Sequence, residues 1–240
     1  MNEEKILISV DVYGNFACFT NPWFKYDKVT FDAPTPSAIR GLLNAIYSKP
    51  KEFYYEVVSI QFLKDIQYID VARTILKDGR IPNNPSKIKS IDGNEDRTVA
   101  FNRYLKDVHY RITAYIVKQP DWDGNVIALA EQFNRRVAKG KCFYQPFLGI
   151  RECVAYFEPI DINIKPISLN KDFGTMLYDV FDIRNNTPLS PKNKDEILNP
   201  TYYHAVAKNG IIEVPPYSEI LNENNVYSNI PVEKKGEFYV

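Results

Sequence analysis

The sequence predicts an α+β fold, and three observations lead there. Two amphipathic segments with helical spacing and recognisable caps run over Thr35–Pro50 and Val126–Gly140. Four further segments are β-patterned, either alternating or rich in β-branched and aromatic residues: Ile6–Gly14, Tyr54–Val71, Lys106–Val117 and Glu152–Ile160. Their order along the chain is strand, helix, strand, strand, helix, strand, the βαββαβ pattern of a ferredoxin-like core with both helices on one sheet face.

In the first strand Ile6, Ile8, Val10 and Val12 alternate with Leu7, Ser9, Asp11 and Tyr13, the period of a half-buried strand. Thr35 is placed to cap the helix that follows. Pro36 fits its first position, where no hydrogen bond is lost, and Lys49-Pro50 stops it. Ile39, Leu42, Leu43 and Ile46 make one apolar stripe, and Arg40, Asn44 and Tyr47 share a polar one beside it. That polar stripe could edge a groove; equally, Tyr47 could pack at the core margin with Arg40 in solvent.

Tyr54–Val71 suits a long strand or hairpin arm, and the turn-rich stretch after it reads as an exposed insertion at about 72–100. Lys106–Val117 sets Val108, Tyr110, Ile112, Ala114 and Ile116 against a polar-aromatic face of Asp107, His109, Arg111, Thr113 and Tyr115. The second helix has Val126, Ala130, Phe133 and Val137 inward, with Gly140 suited to close it. Cys153, Ala155 and Phe157 share one side of the last core strand. We expect domain one over 1–160 and a small β subdomain with a tail over 161–240, with strands near TMLYDVFDI and IIEV.

Composition narrows the chemistry. Of 240 residues, 45% are apolar and 25% charged, so the chain is expected to fold as a globular protein. No apolar run approaches the roughly 20 residues of a membrane span, and acids near the start speak against a secretory signal, which leads us to expect a cytoplasmic protein. Cys18, Cys142 and Cys153 lack paired spacing, which favours ordinary buried thiols. His109 and His204 stand far apart and outside any ligand-spaced cluster, so no metal site is expected. Signals for a nucleophilic triad, a phosphate loop and a dinucleotide site are missing, and no cofactor is expected.

Lysine plus arginine balances aspartate plus glutamate at 30 each, so a polyanion site would need local segregation of charge. Gln132–Arg151 supplies it, with Arg135, Arg136, Lys139, Lys141 and Arg151 and no acid. Within it Phe143, Tyr144 and Phe147 alternate with the basic groups around Gly140 and Gly149. Cations neutralise phosphates and rings stack on unpaired bases, although a solvated helix face beside a packed loop has the same composition. His109, structural in one reading, could instead join Arg111 and Tyr115 in stacking on bases.

Three blocks, DAPTPSAIRGLLNAIYSKP, YLKDVHYRI and CFYQPFLGIRE, in this order and separation, resemble the Cas-five family of CRISPR-associated proteins, in its type I-C branch of the RAMP superfamily. The resemblance spans most of Ile6–Pro159; GTMLYDVFDI and NGIIEVP are similar but less distinctive. It implies a ferredoxin-like core with a small C-terminal β subdomain, and a subunit that stays on the 5′ handle of the CRISPR RNA beside the backbone and large subunits of an effector complex, meeting target DNA only indirectly. It also implies precursor RNA cutting without metal, by attack of a ribose 2′-hydroxyl on the neighbouring phosphate.

The branch's active tyrosine falls on Tyr47, and Lys49 stands close by. Its Lys-His pair, counted back from FNRRVAKG without gaps, falls on Ala128 and Leu129, neither of which can carry a proton. Arg135, Lys139 or Lys141 would then supply charge, with Arg40, Lys49, Arg136 and Arg151 completing the RNA contacts. Two alternatives stay open: a non-catalytic subunit capping the 5′ end of the guide RNA, and a small-molecule enzyme using Tyr47 and Lys49 as an acid-base pair.

Overall fold

A computed structural model of the chain describes residues 4–20, 28–76, 97–167, 173–179, 181–182, 187–188 and 201–214. Its elements are β1 (Lys5–Ala17), β2 (Lys28–Val29), α1 (Pro36–Ile46), β3 (Phe53–Phe62), β4 (Gln67–Leu76), β5 (Arg97–Lys118), α2 (Val126–Ala138), β6 (Tyr156–Glu158), β7 (Phe173–Asp179), β8 (Phe181–Asp182), β9 (Thr187–Pro188), β10 (Thr201–Ala207) and β11 (Ile211–Glu213). The class is mixed α/β, with two helices among the described residues and a main sheet ordered β11-β3-β5-β1-β6. Every neighbouring pair in that row is antiparallel.

β5 organises the sheet because it is long enough to serve two sets of partners. Its second half lies between β1 and β3, with Ile112 opposite Val10 on one side and Ile60 on the other. Its first half forms a ribbon with β4, from Gln67 opposite Lys106 to Leu76 opposite Arg97. The long strand expected over Tyr54–Val71 is thus two strands on one edge of β5, interrupted at residues 63–66. Asp107, in the left-handed region at φ 52°, marks the same break on β5. The expected insertion starts in the β4–β5 ribbon; its middle, 77–96, lies outside the described residues.

The alternation in β1 and β5 has the expected consequence: Ile8, Val10 and Val12 bury beside Tyr110, Ile112, Ala114 and Ile116. α1 adds Ile39, Leu42, Leu43 and Ile46 to this core, and α2 adds Leu129, Ala130, Phe133 and Val137. Each buried valine, leucine, isoleucine or phenylalanine among them gains roughly 1.5–3 kcal/mol from leaving water. Helix ends follow sequence too. Thr35 Oγ1 accepts from the Ala38 N–H at 3.3 Å ahead of Pro36, and Asn125 Oδ1 accepts from Ile127 N–H at 2.8 Å. Gly140, at φ 59°, closes α2: its N–H reaches Val137 O and the Lys141 N–H reaches Arg136 O, satisfying carbonyls that the helix leaves open.

Three expectations need correction. Asp11, assigned to an outer face, is 0% exposed. Arg111 clamps both its carboxylate oxygens at 2.7 and 2.8 Å, and the chain at Asp161 covers the pair. The strand expected over Glu152–Ile160 contracts to β6. Residues 147–155 instead form a folded-back loop, with Leu148 N–H on Cys153 O and Cys18 N–H on Leu148 O, so Cys153 and Ala155 bury through loop packing that mimics alternation. Gly149 is required there, since a Cβ would stand 2.0 Å from Cys18 O. Finally, IIEV does not stay with the other late strands: β11 pairs with β3 through Ile212 opposite Ile60, whereas β7 pairs with β10 and β8 with β9. Cys18 and Cys153 are buried thiols as expected, and Cys142 is half-buried. No helix among the described residues is long and apolar enough to cross a membrane.

Candidate nucleic-acid interface at the end of the first helix

α1 ends by handing its last N–H bond to Tyr47, whose amide still reaches Leu43 O at 2.9 Å although its own backbone has turned extended, at φ −151° and ψ 125°. That turn swings the side chain off the helix axis and into the space between α1, α2 and the start of β3. The ring lies between Phe53 and Phe143, near-parallel to both, at centroid distances of 5.5 and 6.0 Å. Tyr47 is 3% exposed, and its hydroxyl donates to Gln132 Oε1 on α2 at 2.6 Å. The Tyr55 hydroxyl donates to Tyr47 O at 2.7 Å, so the backbone of this residue is also fixed. Burial pushes the phenol above its ordinary value against the pull of Lys49, so at neutral pH it is protonated, as any unshifted phenol would be.

The neighbouring cations divide into two kinds. Arg136 turns inward: its Nε donates to Ile46 O, one of the carbonyls left open at the end of α1, and its guanidinium lies 4.1 Å over the Phe143 ring. Lys49 is held by Glu52, with Nζ 2.9 and 3.0 Å from the two carboxylate oxygens, and this hydrogen bond raises its pKa above the ordinary lysine value. Arg135, Lys139 and Lys141 point outward from the last turn and cap of α2, exposed and without an ion pair among the described residues. Helix-end carbonyls favour cations there whether or not a ligand comes.

Arg40 departs from both readings of the polar stripe. It is 6% exposed, packed with the buried face of α1 rather than edging a groove or facing solvent. Arg151 is exposed in the turn after Gly149, and no hydrogen bond or ion pair among the described residues ties it to the Tyr47 cluster. Sequence reasoning missed Gln132 and Glu52. Gln132 stands one turn ahead of Arg136 and one turn beyond Ala128, so this stripe of α2 offers an amide where a proton carrier was looked for, while Leu129 is buried in the core. The one signal for Glu52 was its i+3 spacing from Lys49.

This arrangement, a neutral phenol beside a charged ammonium at one helix end with free cations along the next, suits a polyanion with a reactive phosphate. Comparison with known proteins decides the lineage. Residues 7–215 match the Cas5d family, described as CRISPR-associated protein (Cas_Cas5). The chain belongs to this family. Among curated relatives, the CRISPR pre-crRNA endoribonuclease Cas5d of Thermus thermophilus is 35% identical over 218 residues, covering 87% of this chain and 91% of its own. The protein of the same description from Mannheimia succiniciproducens is 34% identical over 228 residues, covering 88% and 95%. Two solved structures share the fold: a CRISPR-associated protein, with TM-score 0.62 and 23% identity, and the functionally uncharacterized SMU1763c from Streptococcus mutans, with TM-score 0.61 and 20% identity. Each covers 90% of this chain and is itself 95% covered.

Proposed function

We propose that this protein binds CRISPR precursor RNA and cuts it by metal-independent attack of a 2′-hydroxyl on the adjacent phosphate. The observation that carries this is the placement of a protonated Tyr47 beside Lys49 at the end of α1, next to the exposed Arg135, Lys139 and Lys141. The attack forms a cyclic phosphate and breaks the bond to the 5′-oxygen, while the proton of the 2′-hydroxyl passes to water. The leaving oxygen takes the phenolic proton of Tyr47, and the Lys49 ammonium offsets charge on the phosphoryl oxygens. Phe143 stacks beside the phenol ring, whose hydroxyl must exchange its bond to Gln132 for the leaving oxygen. Lys139, Lys141 and Arg135 hold neighbouring phosphates. Curated relatives named pre-crRNA endoribonucleases support the reading.

The finer parts of the reading are a ferredoxin-like core, a small β subdomain drawn from 161–240 without β11, which joins the main sheet, and retention on the 5′ handle within an effector complex. The row β6-β1-β5-β3 supports the first, since it places the fourth core strand beside the first and the third beside the second.

A second reading, a subunit that caps the guide RNA without cutting, draws on Ala128 and Leu129 and on the burial of Tyr47. Labelled repeat RNA incubated with the protein in EDTA separates the two. One discrete product ending in a cyclic phosphate supports the enzyme; retention of intact RNA supports the cap and overturns cutting.

A further inference from the structure

The opposite face of the sheet carries a second aromatic group, which the reaction at Tyr47 does not use. Tyr156, Tyr13 and His109 lie directly across from one another on β6, β1 and β5, forming a row over three adjacent strands. Tyr13 and Tyr156 stack at 5.7 Å with 25° between the rings, and the His109 ring meets Tyr13 edge-on at 5.5 Å. Unlike Tyr47, the two tyrosines are open, 37% and 53% exposed. A cavity of about 210 Å³ adjoins the row where β3 breaks from β4, and Tyr13, Asn15, Lys64, Asp107, His109 and Glu158 line it. That is below the roughly 300–1,000 Å³ of sites for drug-sized ligands, so it suits one heterocycle.

Charge narrows the guest further. Lys64 is bound to Asp107 at 2.8 Å, and Arg111 on the next row is consumed by Asp11, which leaves Glu158 as the carboxylate without a cation among the described residues. Such a lining disfavours a phosphate and accepts hydrogen bonds from an amino group. His109 Nε2 is sealed from solvent with no partner among the described residues, a cost that a hydrogen-bonding guest removes once the ring turns toward it.

We infer that the Tyr13–Tyr156–His109 row and its cavity bind one unpaired, amino-bearing nucleobase of an RNA strand, by stacking on the tyrosines and donation to Glu158. This rests on the proposed function only for the polymer to which the base belongs. Stacking is sequence-tolerant and, per base, is worth roughly 5- to 150-fold in affinity.

The test is binding of fluorescein-labelled hexacytidylate and hexauridylate by polarisation, since cytosine bears an amino group where uracil bears a carbonyl. We expect hexacytidylate to bind at least about fivefold more tightly. Tyr156→Leu and Tyr13→Leu should each weaken it by roughly 5-fold or more, while Tyr13→Phe, which keeps the ring, should not. Glu158→Ala should remove the cytosine preference. Equal binding of the two hexamers overturns the choice of base, and leucine variants that bind within twofold of the parent, with unchanged thermal melts, overturn the site. A protein that cuts repeat RNA yet ignores both hexamers sinks only this site. One that prefers hexacytidylate but leaves repeat RNA intact sinks only the cutting reaction.

Discussion

Tyr47 and Tyr13 stand on opposite sides of one sheet, and the contrast between them shows how burial separates a closed phenol from an open one. Tyr47 is closed between Phe53 and Phe143, its hydroxyl committed to Gln132 and its proton held by desolvation. Tyr13 leans on Tyr156 across the strand gap with faces still in water. A closed ring loses freedom and holds its hydroxyl in one place, which suits chemistry. An open ring keeps its π-face for a guest, which suits stacking. The cations divide in the same way: Arg136 binds the fold together, and Arg135 beside it in sequence does not.

The sharpest attempt to break this contrast is Tyr47→Phe. Removal of the hydroxyl should lower the rate of RNA cutting in EDTA by about 10²- to 10⁴-fold while leaving RNA retention within twofold; an unchanged rate would take Tyr47 out of the reaction. Next, Gln132→Leu strands a buried phenol without its acceptor and should cost about 1–3 kcal/mol of stability, read from the denaturant midpoint. Tyr156→Leu on the open side should stay within about 0.5 kcal/mol, so equal losses would mean that burial does not separate the two clusters.

Smaller effects distinguish the two arginines. Arg135→Ala should flatten the dependence of log affinity on log salt by about 0.7 for each single-strand phosphate that the side chain neutralises, with stability unchanged. Arg136→Ala should act the other way round, lowering the melting temperature more than the salt slope. The smallest effect concerns pH. Burial lowers the pKa of His109, so below its ordinary value of about 6.5 the unfolded chain takes up protons that the folded one refuses, and stability falls as pH drops further. Tyr47 mirrors this on the alkaline side, where its raised pKa costs stability as pH climbs above about 10. His109→Asn should flatten the acid limb alone in pH-dependent melts.

Much of the fold was legible because its signals are local. Thr35, Pro36 and Gly140 mark helix ends through the bonds of their own turns, and the two-residue period of β1 and β5 tells which side chains share a face. Cys153 and Ala155 misled for the same reason, since a compact loop can bury every second residue as a strand does. At the candidate site Tyr47 and the basic run were visible as residue types, whereas Gln132 carried no signal, because its partner lies 85 residues away.

The sequence by itself therefore determined both helices, most of the strands with their inward stripes, and the family. Only tertiary packing decided that Arg40 is buried, that Arg136 faces in while Arg135 faces out, that Asp11 is sealed under Arg111, and that rings from β1, β5 and β6 align in one row. Hydrophobic periodicity fixes the orientation of a side chain relative to its own helix or strand. Which group meets it from elsewhere depends on register and interlayer packing, which are set only when the whole sheet has formed.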